Sequence, residues 1–289
     1  MVLARRRIEG LKGTDEASRR RPSRDLAGVS ESGSGMSARL AAARELKIRL
    51  AYQPGPGSFA DAELEGLPDP VRRYLGASIA SGTPLAAAAR FRMSGSIRLG
   101  RRWVRFRARQ IEAPHHGFVW AARAGVIVGS DRYAEGQGAM NWKVLGLVRV
   151  MHADGPDVSR SAAGRVGAEA VWVPTALLPR FGVTWTATDP LHITANYRLD
   201  DAEVELLYTL SDDARVRSVV FDRWGDPDNT GTWGHHPFGF EVAGYSTFDG
   251  VTIPSAGRAG WFYGTDRWNE GEFFRSEITD FHLVTEASR

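Results

Sequence analysis

The sequence predicts a mainly β, α+β fold in which a curved antiparallel sheet has helices before it and one helix inserted within it. Three observations predict this. The apolar period switches to two after residue 90. Strand-length segments then follow at short spacing with no helix between each pair. The series pauses once, between Ser159 and Pro179. At 289 residues, 43% of them hydrophobic, the chain can build one large core, and β units of this size often stay undivided. The nine Trp, thirteen Phe and seven Tyr favour strands, and the 32 Gly suit many turns.

Residues 1–35 are rich in Arg, Ser, Gly and Asp and end in Ser30-Glu31-Ser32-Gly33-Ser34-Gly35, which predicts a disordered basic tail. Met36 follows, and the biological start is expected there or at a nearby codon. The tail holds eight basic and five acidic residues, which is the whole of the net charge of +3. The neutral remainder lacks the electrostatic footprint of a nucleic-acid binder.

Residues 36–85 are predicted to form a helical segment packing on the sheet. Leu40, Ala43, Leu46, Ile48 and Leu50 recur at roughly helical spacing until Pro54-Gly55-Pro56-Gly57 stops them. A second helix opens at Asp69-Pro70, carries Val71, Tyr74 and Leu75, and ends by Gly82-Thr83-Pro84.

Residues 86–289 are predicted to be the antiparallel β domain. Phe91, Met93, Gly95, Ile97 and Leu99 alternate with Arg92, Ser94, Ser96 and Arg98. After Gly100, Val104, Phe106, Ala108 and Gln110 oppose Trp103, Arg105, Arg107 and Arg109, so the pair reads as a hairpin with one apolar face. Further strands are expected at 117–122, 125–133, 138–151, 183–187, 191–199, 203–210, 216–224, 238–248, 257–264 and 272–283. The inserted helix, near 159–178, takes Ser159 as its N-cap. It places Ala163, Val166, Ala170 and Val173 on one face and pairs Arg165 with Glu169 on its exposed side.

With no Cys, disulfides and thiolate metal sites are excluded. No apolar run has signal-peptide character and none reaches about 18 residues, so a soluble, cytoplasmic chain without a transmembrane segment is expected. There is no Gly-x-Ser-x-Gly elbow, P-loop or dinucleotide-binding glycine turn, so covalent hydrolase and nucleotide readings lose their usual support. No cofactor is expected, and oligomeric state is not legible.

The run Glu169-Ala170-Val171-Trp172-Val173-Pro174-Thr175-Ala176-Leu177-Leu178-Pro179 resembles an uncharacterised bacterial domain-of-unknown-function family. So do Gly117-Phe118-Val119-Trp120-Ala121-Ala122, Tyr133, Gly136-Gln137-Gly138, Leu67-Pro68-Asp69-Pro70-Val71 and Ile253-Pro254, over about residues 64–283. The order of strands around one helical insert is also similar, more loosely, to the LolA/LolB class of half-open β-barrels that hold acyl chains. That resemblance implies a half-open barrel and carries no role by itself.

The function expected is non-catalytic binding of an apolar or amphipathic ligand, of lipid or fatty acyl type, in a half-barrel cavity. Trp120, Trp142, Trp172, Leu177, Trp185 and Trp261 are the expected aromatic and aliphatic contacts. Arg105 and Arg107 could meet an acidic head, although a solvated face, or pairing with Glu112, Glu241 or Glu277, is the commoner use of such a stripe. The segment 138–151, apolar on both faces, suits either a ligand-facing strand or a plain core strand. One alternative is an enzyme using His152 with Asp154, or the His235-His236 loop within 225–237. That loop's spacing matches neither zinc nor calcium motifs, and turn chemistry also accounts for these residues and for His115-His116. A second alternative is a protein–protein module using an exposed sheet edge.

Overall fold

The computed structural model describes residues 57–285; the tail and the first expected helix lie outside them. A 3-10 turn at Asp61–Leu64 and helix α1 (Asp69–Ser78) come first. Six strands follow: β1 (Ala89–Leu99), β2 (Arg102–Ala113), β3 (Gly117–Ala124), β4 (Ile127–Ala134), β5 (Gln137–Val144) and β6 (Val148–Ala153). Helix α2 (Pro156–Glu169) runs into 3-10 turns at 170–172, 174–177 and 179–181. The chain then resumes as β7 (Thr184–Asp189), β8 (His192–Leu199), β9 (Ala202–Leu210), β10 (Val216–Gly225), β11 (Gly234–Phe248) and β12 (Val251–Trp261). A one-turn helix α3 (Trp268–Gly271) precedes β13 (Glu272–Leu283).

The thirteen strands of the described residues form one antiparallel sheet in the order β6-β5-β4-β3-β2-β1-β13-β12-β11-β10-β9-β8-β7. Two meanders, β1–β6 and β7–β13, are thus zipped along β1 and β13, where Phe91 lies opposite Phe281 and Gly95 opposite Ser276. Gly95 lets the sheet coil here, because a Cβ on it would sit 1.9 Å from the Arg275 carbonyl oxygen. Irregular registers, such as those at Arg92/Met93, Val242/Gly244 and Ala259/Gly260, add bend.

The sheet curls around α2, which touches β4 and β5 on one side and β9 and β10 on the other. Contacts between the turns complete the half-open barrel. Tyr133 Oη and the Gly136 N–H both donate to Asp200 Oδ2, at 2.8 and 2.9 Å, and the His115 ring packs edge-on against Tyr197.

The residues of the quoted motifs staple this arrangement. Trp172 Nε1 donates to the Pro254 carbonyl at 3.0 Å, Thr175 Oγ1 to the Ala86 carbonyl at 2.5 Å, and Trp185 Nε1 to the Leu177 carbonyl at 2.9 Å. Each bond satisfies a polar group that burial would otherwise leave unpaired, an omission costing about 1–3 kcal/mol.

Four expectations need correction. The segment 138–151 is two strands, not one: Leu145 and Gly146 adopt positive φ of 51° and 72°, and Leu145, Leu147 and Val148 are exposed at the hairpin tip. Gly146 inside the apolar run was the sign of that turn. Helix α2 starts at Pro156 after Gly155, so Ser159 is not its cap; the Ser159 hydroxyl donates to the Gly155 carbonyl and accepts from the Gly138 N–H. His235, His236 and Pro237 belong to β11, because the β10–β11 ladder extends to Gly225 and Gly234. The Arg165–Glu169 pair faces the interior, since a helix lodged inside a curled sheet has no broad solvent face.

Candidate functional site

The concave side is solid at one end and hollow at the other. At the solid end Tyr74 of α1 meets Trp185 and Tyr208, with ring centroids 5.8 and 5.6 Å away. In the middle Trp172 packs between Phe91 and Phe240. Beyond it, between α2 and the inward faces of β3, β4, β11, β12 and β13, lies a cavity of about 150 Å³. Phe118, Trp120, Phe238, Phe240, Trp261 and Phe274 form its aromatic wall, while α2 faces it with Val158, Ser161, Ala162 and Ala168 and with the charged Arg165 and Glu169. Asp226 and Trp233 of the β10–β11 loop, both half-buried, form its rim.

A charged cluster lines the same space. Arg165 of α2 reaches Glu169 Oε1 at 2.7 Å and Asp131 Oδ2 at 3.2 Å, with its guanidinium 4.3 Å from the Phe118 ring centroid. Burial by itself would lower its pKa; Glu169 and then Asp131 reverse that and hold it above the ordinary value. Trp142 Nε1 donates to the other Asp131 oxygen at 2.8 Å. Behind the pair, Gln110 Nε2 bridges Glu169 Oε2 at 2.5 Å and Glu112 Oε2 at 2.9 Å. Glu112 is fully buried; desolvation first, and then the charge of Glu169, push its pKa well above the usual carboxylate range.

Arg223 of β10 is different. Its guanidinium lies 4.6 Å from the Phe238 centroid and 5.0 Å from that of Trp261. Its Nε donates to the Ser161 carbonyl at 3.3 Å, and no carboxylate of the described residues is within salt-bridge distance. Burial and repulsion by Arg165 lower its pKa to about 9, and the more distant Glu169 and Asp131 offset only part of this. The Nε1–H of neighbouring Trp261 is buried without an acceptor.

The structure gathers only some of the residues expected from sequence. Trp120, Trp172 and Trp261 line the cavity. Trp142 stands behind Trp120, centroids 5.5 Å apart, and holds Asp131. Leu177 and Trp185 are packed in the core away from the cavity. Arg105 and Arg107 lie on the convex face, exposed, because they alternate with inward Phe106 and Ala108; neither reaches the cavity. Nor do they pair with the acids proposed for them: Glu112 is buried beside Gln110, and Glu241 binds Arg258 at 3.0 Å.

Arg165, Glu169, Asp131, Gln110, Glu112 and Arg223 were not foreseen together. Their sign was polar side chains in inward register: Arg223 follows Val219 and Phe221 at period two, and Gln110 and Glu112 follow Phe106 and Ala108.

A separate, open groove of about 1630 Å³ outside α2 is lined by His152, Asp154, Arg160, Asp200 and His235 among others. His152 Nε2 is 3.2 Å from Asp154 Oδ2, and His235 Nε2 is 2.8 Å from an Arg160 nitrogen. His236 points to the other side, against Trp261 and Phe262. Among the described residues no group of three His, Asp or Glu is placed to hold a metal ion, and no helix is long and apolar enough to cross a membrane.

The model of a family of unknown function, DUF6544, matches residues 57–273. No curated protein matches the sequence. Among solved structures, a LolA superfamily protein from Nitrosomonas europaea aligns at TM-score 0.40 and 7% identity, over 74% of this chain and 91% of that one. A DUF1329 family protein from Desulfovibrio piger aligns at TM-score 0.37 and 8% identity, over 83% and 92%. An outer membrane lipoprotein-sorting protein domain from Vibrio parahaemolyticus aligns at TM-score 0.36 and 8% identity, over 68% and 85%. Likeness at this level carries nothing about ligand or role.

Proposed function

Since the chain belongs to DUF6544, a family of unknown function, its role has to be read from its own residues, and we propose that it is a non-catalytic binding protein for an apolar or amphipathic small molecule held beneath α2. One observation carries the reading: about 150 Å³ is left empty behind an aromatic wall, in an interior that elsewhere packs ring against ring. Protein cores ordinarily close such gaps, and a dry apolar cavity of about this size takes up a benzene-sized molecule. A lipid or fatty acyl ligand fits on the same grounds if one end of it enters and the remainder leaves past the Asp226–Trp233 rim.

The test is mass spectrometry of an organic extract of the purified protein, together with titration of an environment-sensitive apolar fluorophore. Binding that disappears in Ala168→Phe, which fills the cavity from the helix side, supports the reading. No extractable ligand, and no fluorophore binding sensitive to that substitution, sinks it.

An enzymatic alternative draws on His152, Asp154 and His235 sharing the outer groove. It predicts chemistry that is indifferent to Ala168→Phe and lost in His152→Ala.

A further inference from the structure

At one end of the cavity two buried-side donors, the Arg223 guanidinium and the Trp261 Nε1–H, face the space without an acid partner among the described residues. Its two lining carboxylates of α2 and β4 are already engaged: Asp131 accepts from Arg165 and Trp142, and Glu169 from Arg165 and Gln110. The Arg223 guanidinium, by contrast, makes one 3.3 Å bond through Nε and has no acid partner among the described residues. It is sandwiched toward Phe238 and Trp261 on the cavity wall, and the Trp261 Nε1–H has no acceptor either. A guanidinium set among aromatic rings beside a void lacks the anion that its planar fork of donors would bind.

We propose that the cavity selects a small apolar carboxylic acid, short-chain or aromatic, whose carboxylate pairs with Arg223 while its apolar body lies against Phe118, Trp120 and Phe240. This deepens the reading of the cavity as a ligand site and rests on it. The size of the void sets the body at about that of a benzene ring or a short acyl chain. The electrostatics set the head. Arg165 is neutralised by its two carboxylates and Arg132 is exposed to solvent, so Arg223 is the inward charge left to compensate, and repulsion between Arg165 and Arg223 falls once an anion arrives. A cationic ligand meets the opposite situation, since Asp131, Glu169 and, at the rim, Asp226 already have partners, the last accepting from the Thr230 and Gly231 N–H groups.

Isothermal titration of the full chain with phenylacetate and hexanoate, against 2-phenylethanol and 1-hexanol as neutral counterparts, tests this. The expected result is about tenfold or more in favour of each acid. That ratio collapses toward one in Arg223→Gln and is partly recovered in Arg223→Lys, with thermal melts showing each variant folded. Equal affinity for acid and alcohol in the wild type, or a preference that persists in Arg223→Gln, overturns the assignment of the head while leaving the apolar site standing. Binding of neither acid nor alcohol overturns both.

Discussion

Tyr133 donates its hydroxyl to Asp200 Oδ2 at 2.8 Å, joining β4 to the β8–β9 turn across the open side of a sheet in which these strands belong to different meanders. Asp200, at a φ of 52° in the two-residue β8–β9 turn, accepts the Gly136 N–H as well. The bond shuts the mouth near the N-terminal end of α2. Tyr133→Phe removes a hydrogen bond to a charged group at a buried ring, so a loss of about 1–2 kcal/mol is expected. Amide exchange checks the location: protection in β4 and β5 should fall more than in β1 and β13, and a uniform fall would refute the closure.

Gly138 of β5 lies against α2. A Cβ there would stand 2.8 Å from the Ser159 Cα and 2.9 Å from the Val158 carbonyl oxygen, both of them backbone. Gly138→Ala must therefore push strand and helix apart and stretch the bond from the Gly138 N–H to Ser159 Oγ. Overpacking of this kind costs about 1–3 kcal/mol. The denaturation midpoint should drop accordingly, whereas Gly136→Ala, which has open space around its Cβ, should lose less and only through its positive φ of 74°.

Arg165 and Arg223 are expected to respond to Met substitution with opposite signs. Arg165→Met strands Asp131 and Glu169 in the interior and should destabilise by about 3–5 kcal/mol. Arg223→Met removes an unpaired charge from an aromatic setting and relieves repulsion of Arg165, so the melting temperature should hold or rise. Parallel melts of the two variants measure this; equal losses would mean that Arg223 is a structural element like Arg165.

Glu112 is held above its ordinary value of 4.5 by burial and by Glu169. The folded protein therefore keeps a proton that the unfolded chain releases. This contribution to stability is whole below about pH 4.5 and declines as pH rises through the folded value. Glu112→Gln imitates the protonated form without titrating. Urea midpoints at pH 5 and pH 8 should show a smaller alkaline decline in the variant than in the wild type; parallel declines would locate the loss elsewhere.

Much of the fold was legible because strand period is a local property. Phe106, Ala108 and Gln110 face inward for the reason that Arg105 and Arg107 face out, and the same rule removes those arginines from the cavity. Arg165 and Glu169 were misread for a reason equally physical. An acid and a base four apart on a helix usually lie in water, and nothing in the spacing reveals that both sides of α2 are covered by sheet. The loop before β11 was read too long because Gly, Pro and His look like loop residues until the facing strand supplies their partners.

By itself, the sequence determined the antiparallel meander, its interruption by one helix, and, for regular strands such as β1 and β2, which side chains point inward. Only the tertiary structure decided which inward faces meet, so that Trp185 and Leu177 close a solid end while Trp120, Trp261 and Arg223 border a void. The distinction is physical. Alternation is set residue by residue, whereas curvature accumulates from twist and bulges over thirteen strands, and a cavity is what remains when that curvature exceeds the volume of the helix it encloses.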